Sequence, residues 1–137
     1  MKDLGVKFDV KLKFTDHINE KINKAYCVLG LIKRNFQYIS EKCFVTLYKA
    51  MVRSHLEYAP AVWCGSYKKI EKVQMRATKL ITRIKDLSYV ERLKKLQLPT
   101  LKYRRLRGDM IELYKMVTGL YSKDVSLNLE YVTSNLR

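Results

Sequence analysis

Apolar and polar residues alternate near the start of the chain. Val6, Phe8, Val10, Leu12 and Phe14 are apolar, and Lys7, Asp9, Lys11 and Lys13 are polar. A period of two predicts a half-buried strand, or a hairpin turning near Asp9. A single strand leaves its backbone groups unpaired, so this one reads as an edge element whose partner strands lie outside the chain.

The period then lengthens. Ile18, Ile22, Ala25, Leu29, Ile32 and Phe36 recur at spacings of four and three, which predicts a helix capped by Thr15. A second helix starts after Ser40, faces inward with Phe44, Leu47, Met51 and His55, and stops at Pro60. A loop around Trp63–Gly65 leads to a third, 68–84, with Ile70, Val73, Ala77, Leu80 and Ile84 inside. Trp63 itself reads as an anchor at the end of the bundle. Ser88 and Glu91 form a capping box that opens a short fourth helix, closed by Pro99. Thr100 caps a fifth, with Tyr103, Leu106, Met110, Leu113 and Val117 inside and Gly119 as terminator. The expected architecture is mainly α: a bundle of about five helices preceded by a short strand or hairpin. Residues 1–14 form the strand or hairpin, 15–121 the helical bundle, and 122–137, which lack a clear period, a frayed tail.

Composition fits one domain with a real core. The chain has 137 residues, 47% of them hydrophobic, and only two prolines. Charge changes the picture more. The 28 basic and 13 acidic residues leave a net charge of +15, which attracts polyanions. The excess is densest over 68–107, where 14 basic residues meet only Glu71, Asp86 and Glu91. Nucleic acid is the leading partner for such a domain, and an anionic membrane surface is second.

On the third helix Lys68, Lys72, Arg76, Lys79 and Arg83 form a basic stripe away from the apolar one, with Glu71 as the nearby acid. The fifth helix adds Arg104, Arg107 and Lys115 on a side lacking acids, whereas Arg105 can be neutralised by Asp109 and Glu112. The stripe is either a solvated face or a set of phosphate contacts. Its lack of counter-charge favours phosphate, with little base preference. Tyr67 and Tyr89 lie in the basic region and could stack on bases. Tyr48, Tyr103 and Tyr114 read as core.

Chemistry is sparse. The acids are scattered, and Asp109 and Glu112 read as ion-pair partners rather than metal ligands. His17, His55 and the cysteines match no zinc spacing. Cys27 and Cys43 read as core fillers, and with Cys64 as reduced thiols. No metal, cofactor or small-molecule substrate is expected. Neither a membrane span nor a signal peptide stands out, so the expected location is intracellular, cytoplasmic or nuclear.

Four ordered blocks give a further lead: "DLGVKFDVKLKFTDHI", "LYKAMVRSHLEYAPAVW", "KVQMRATKLI" and "ERLKKLQLPTLKYRRLRGDMIELYKM". Over about Asp3 to Leu120 the chain resembles the C-terminal, thumb-like region of reverse transcriptases from non-LTR retrotransposons, the LINE-type elements related to Jockey. The resemblance implies RNA-directed DNA synthesis in the parent enzyme. It also implies that 6–14 belong to the sheet holding the primer end. The family's catalytic aspartate box is absent, and Met75 stands in place of a usual arginine. The expectation is a polymerase fragment that contacts nucleic-acid backbone, through Lys68, Lys72, Arg76, Lys79, Arg83, Arg104 and Arg107, and does no chemistry. The alternatives are a protein-interaction module that docks through its N-terminal strand, for instance on an intact polymerase, and a remnant without a role.

Overall fold

The computed structural model describes residues 2–58 and 67–121. The expectations for Pro60, Trp63, Cys64 and the tail from 122 lie outside the described residues. The chain divides into two compact units, 1–105 and 106–137. It is mainly helical, as expected.

A small hairpin opens the first unit. β1 (Lys2–Asp3) pairs antiparallel with β2 (Val6–Lys7), in the register Lys2 to Lys7 and Asp3 to Val6. Both turn residues have positive φ, 42° at Leu4 and 79° at Gly5, the geometry that matches the twist of paired strands. A Cβ on Gly5 would also come within 3.0 Å of the Tyr58 hydroxyl, a tight contact added to the strain of its positive φ. That hydroxyl donates to the Leu4 carbonyl at 2.6 Å.

Two expectations are thereby corrected: the hairpin turns at Leu4–Gly5 rather than near Asp9, and the strand does not run to Phe14. The Asp9 carboxylate accepts from the Lys13 amide at 2.7 Å, and Leu12 N–H donates to Asp9 O at 3.0 Å. This local turn competes with a ladder, and it leaves Val10 and Leu12 exposed. Val6 and Phe14 still reach the core, and the Phe14 ring meets Phe8 edge-on at 5.6 Å.

α1 (Thr15–Asn35) buries Ile18, Ala25, Leu29 and Ile32. Thr15 is the first helical residue rather than the cap. Phe14 holds the cap position in a left-handed conformation. Phe36 ends the helix half exposed. His17 is buried in the first turn, and its Nδ1 accepts the Lys7 amide at 3.2 Å, tying the hairpin to α1. Burial, followed by the nearby Lys21, lowers the pKa of this imidazole. Lys7 and Lys24 hold the Glu20 carboxyl down to about 2.

Gly30 is exposed in mid-helix, and a Cβ added there would meet nothing within 4 Å. Gly30→Ala is expected to stabilise the protein by about 0.5–1 kcal/mol, read as a higher midpoint in urea.

Ser40 caps α2 (Glu41–Leu47), its hydroxyl accepting from Cys43 N–H at 3.2 Å. The helix continues through a π-helical turn, Tyr48–Val52, into α3 (Arg53–Leu56). The buried residues are Phe44, Tyr48, Val52 and Leu56. Leu47, Met51 and His55, expected inside, are partly or largely exposed. A strict four-residue repeat overshoots an α-helical turn by about 40° per step, and the wider π turn absorbs that drift. Cys27 and Cys43 are exposed, which corrects their reading as core fillers. Cys43 precedes the buried Phe44, and Cys27 falls between the buried Ala25 and Leu29, off the buried stripe.

α4 (Tyr67–Thr78) buries Ile70, Val73 and Ala77. It stops short of the expected end at Ile84. The Thr78 hydroxyl donates to Met75 O at 3.1 Å, and Lys79 and Leu80 N–H bond back three residues. The last turn thus tightens, and Ile81 follows in an extended conformation. A 3-10 turn, Thr82–Ile84, brings Ile81 and Ile84 into the core. α5 (Tyr89–Leu96) carries the expected capping box between Ser88 and Glu91.

α6 (Leu101–Val117) buries only Leu101. Tyr103, Leu106, Met110, Leu113 and Val117 were expected inside, and all are exposed. Helical periodicity shows that a face is apolar and does not show what covers it. Gly119 ends α6 as expected, with φ 68° and a bond from Leu120 N–H to Lys115 O at 3.2 Å.

Candidate nucleic-acid interface

Lys68, Lys72 and Arg76 follow one another at four-residue steps on α4, and all three are exposed. At about 100° per residue their mean direction lies roughly 135° from that of Ile70, Val73 and Ala77. The face opposite the core is therefore cationic. Lys79 and Arg83 lie beyond the helix, in the turn and the 3-10 segment, and are also exposed. Among the described residues none of the five enters an ion pair. Arg76 rests over the Tyr26 ring at 5.3 Å, a contact that leaves its charge intact.

The absence of a counter-charge has a structural cause. Glu71, the only acid of α4, is turned away from the ridge. Its Oε2 accepts the backbone N–H groups of Leu101 and Lys102 at 3.0 and 3.3 Å, and its other oxygen accepts the Tyr89 hydroxyl. With the Thr100 hydroxyl, which accepts Tyr103 N–H at 3.1 Å, it satisfies the free amides at the start of α6. A carboxylate at that end also complements the helix dipole. Glu71 is thus held in place by α5 and α6 and is not available to neutralise Lys68, Lys72 or Arg76.

Gln74 extends the same network inward. Its Oε1 accepts the buried Tyr48 hydroxyl at 2.6 Å, and its amide nitrogen donates to Tyr89 Oη and Pro99 O, both at 3.0 Å. Burial raises the pKa of the Tyr48 phenol far above the usual range. Burial and the Glu71 carboxylate do the same for Tyr89. Both remain neutral donors. Tyr48 is core, as expected. Tyr89 has its hydroxyl committed inward, and the Arg105 guanidinium lies 5.5 Å from the centre of the Tyr67 ring. Neither tyrosine stands out as a bare stacking platform. Tyr103 and Tyr114 are largely exposed instead of core.

The expected basic side of α6 is corrected at two positions. Arg104 forms a two-pronged ion pair with Glu57, at 2.5 and 3.0 Å, and Glu57 also meets Arg53 at 3.5 Å. Glu57 raises the pKa of Arg104 further. Lys115 pairs with Glu112 at 2.9 Å. Lys115 and the Tyr121 hydroxyl both bond Glu112 and hold its carboxyl below the ordinary range, Tyr121 contributing more. The sequence placed no acid beside Arg104 because Glu57 is 47 positions away. Arg107 is exposed on the second unit.

One cation of the dense region belongs to the fold. Arg92 is almost fully buried. Its Nε donates to Thr78 Oγ1 at 3.0 Å and its Nη1 to Leu87 O at 2.6 Å. Lys85 O and Met75 O lie at 3.5 Å. It fastens the C-terminal end of α4 to the start of α5. Sequence reasoning passed over Arg92, Gln74 and the inward turn of Glu71. A signal existed: Glu71, Gln74 and Thr78 recur at spacings of three and four along the edge of the apolar stripe.

Among the described residues no group of three or more His, Cys, Asp or Glu side chains comes together to hold a metal ion. Nor is any of their helices long and apolar enough to cross a membrane. No known protein family, curated protein or solved structure matches this chain.

Proposed function

We propose that this chain binds the sugar–phosphate backbone of RNA or DNA along the exposed face of α4, with Lys68, Lys72, Arg76, Lys79 and Arg83 as the contacting cations. The carrying observation is the orientation of Glu71: the one acid of the helix is bound to the start of α6, and the cations opposite are left uncompensated. Arg104 is removed from the contacting set by its pair with Glu57. The four ordered sequence blocks support a more specific origin, the thumb-like region of a non-LTR retrotransposon reverse transcriptase, in which such a face would grip the template–primer duplex.

The test is a salt series. If three to five of these cations each neutralise a phosphate, the logarithm of the association constant for a duplex falls against the logarithm of salt with a slope of about −3 to −4.5. Sequence changes in the duplex should leave the affinity nearly constant. A slope near zero, measured by anisotropy of a labelled duplex, would remove the proposal.

A further inference from the structure

The bond between the hairpin and α1 holds only while one imidazole is neutral. His17 is 1% exposed, and its Nδ1 accepts the Lys7 N–H at 3.2 Å. Lys7 ends β2 and His17 lies in the first turn of α1, so this bond fixes the end of the hairpin to the helix. A neutral imidazole accepts at one nitrogen because its proton sits on the other, whereas an imidazolium donates at both. Protonated His17 would set Nδ1–H against the Lys7 N–H, two donors face to face beside a buried cation.

The groups around the ring add to that cost. Lys7 on β2, with Lys21 and Lys24 on α1, opposes a positive imidazole. Glu20 favours one, but its carboxylate is already bonded to the Lys7 and Lys24 ammonium groups at 2.7 and 2.9 Å. On α3, Arg53 and Glu57 pair with each other at 3.5 Å and His55 is partly exposed. Tyr58, just after α3, donates to Leu4 O, and the Lys21 ammonium lies 4.0 Å from the centre of its ring. Burial, ahead of these charges, keeps the imidazole below its ordinary range.

We infer that the hairpin is a proton-released latch: protonation of His17 undocks residues 2–7 from α1 while the helical bundle stays folded. The sign follows from linkage. A docked imidazole takes up a proton less readily than a released one. Docking is therefore complete above about pH 6.5, the ordinary histidine pKa, and weakens as pH falls below it. One proton is bound per release, so the docking constant drops by at most about tenfold per pH unit, or about thirtyfold by pH 5. Glu20, held down to about 2, stays ionised throughout this range, so its ion pairs do not produce the change.

The experiment is amide exchange of the full chain, followed by NMR from pH 7.5 to 5 and corrected for intrinsic rates. The Lys7 amide is expected to lose protection severalfold, up to the thirtyfold limit, while Ala25 and Leu29 in α1 keep theirs. The midpoint should coincide with the titration of the His17 ring protons. His17→Asn puts an amide oxygen at the accepting position and cannot be protonated in this range, so its Lys7 protection should not vary with pH. His55→Gln, which changes the only other histidine, should behave as the wild type. Constant protection of Lys7 in the wild type, an equal loss in α1, or the same pH dependence in His17→Asn would each overturn the inference.

Discussion

Reversing three charges on the ridge, with Lys72→Glu, Arg76→Glu and Lys79→Glu together, is expected to lower duplex affinity about a hundredfold or more at 0.1 M salt. Three lost charge-assisted contacts at roughly 1 kcal/mol each give two decades, before any repulsion from the new carboxylates. The salt slope should fall by about three, because each phosphate contact releases close to one counterion. Folding should survive. All three side chains are exposed, and the largest packing loss is the Arg76–Tyr26 contact, worth about 0.5–1 kcal/mol at such a site. Anisotropy titrations at several salt concentrations, beside circular dichroism melts, measure both effects. Arg104→Ala is the internal contrast, since its guanidinium is bound to Glu57: the salt slope should be unchanged and the melting temperature lowered. A triple variant that binds with wild-type affinity and slope would show that the ridge is a solvated face.

That contrast shows where the sequence was readable. Periodicity located each helix and most of its buried stripe, because burial of one face is a local property of spacing. The stripe Ile70, Val73 and Ala77 and the opposite run Lys68, Lys72 and Arg76 were both visible for this reason. What compensates a given charge depends on the tertiary fold. Arg104 and Glu57 meet across 47 positions, and Glu71 reaches the amides of Leu101 and Lys102 across 30 and 31. Neither pairing can be found by looking three or four residues away.

Boundaries failed for a related reason. The apolar spacing continues from Ala77 to Ile84, so a helix through both was the simplest extrapolation. The chain instead turns at Lys79 and Leu80, and Ile81 and Ile84 reach the core from a 3-10 segment. Hydrophobic residues can be buried from either geometry. Between Phe44 and Leu56 the helix itself and its buried Phe44 were right and the buried positions after Phe44 were not, because a π turn changes the residues per turn in mid-helix. On α6 the apolar face was read correctly and its burial was not. An amphipathic pattern is the same whether the cover is the chain's own core or another molecule.

Replacing Arg92 should have the largest effect on stability and almost none on binding. Arg92→Met keeps the aliphatic stem and removes every donor. Thr78 Oγ1 and Leu87 O then lose charge-assisted hydrogen bonds, the first of them buried and the second part-buried. The cost should be about 3 kcal/mol, the sum of two such bonds less the gain from no longer burying a charge. Against a total of roughly 5–15 kcal/mol for a domain, that is a large share, and it should lower the melting temperature by about 10 °C. The loss should concentrate where α4 ends and α5 begins, since the guanidinium spans Thr78 and Leu87. Amide exchange in 78–92 should therefore accelerate more than in α1. At a temperature where the variant is fully folded, its duplex affinity and salt slope should match the wild type, because this charge faces the protein's own carbonyls. By charge count alone Arg92 and Arg76 are equivalent members of the densest basic stretch. A variant of Arg92 that melted normally but bound poorly would mean that the cations had been assigned to the wrong sides of the fold.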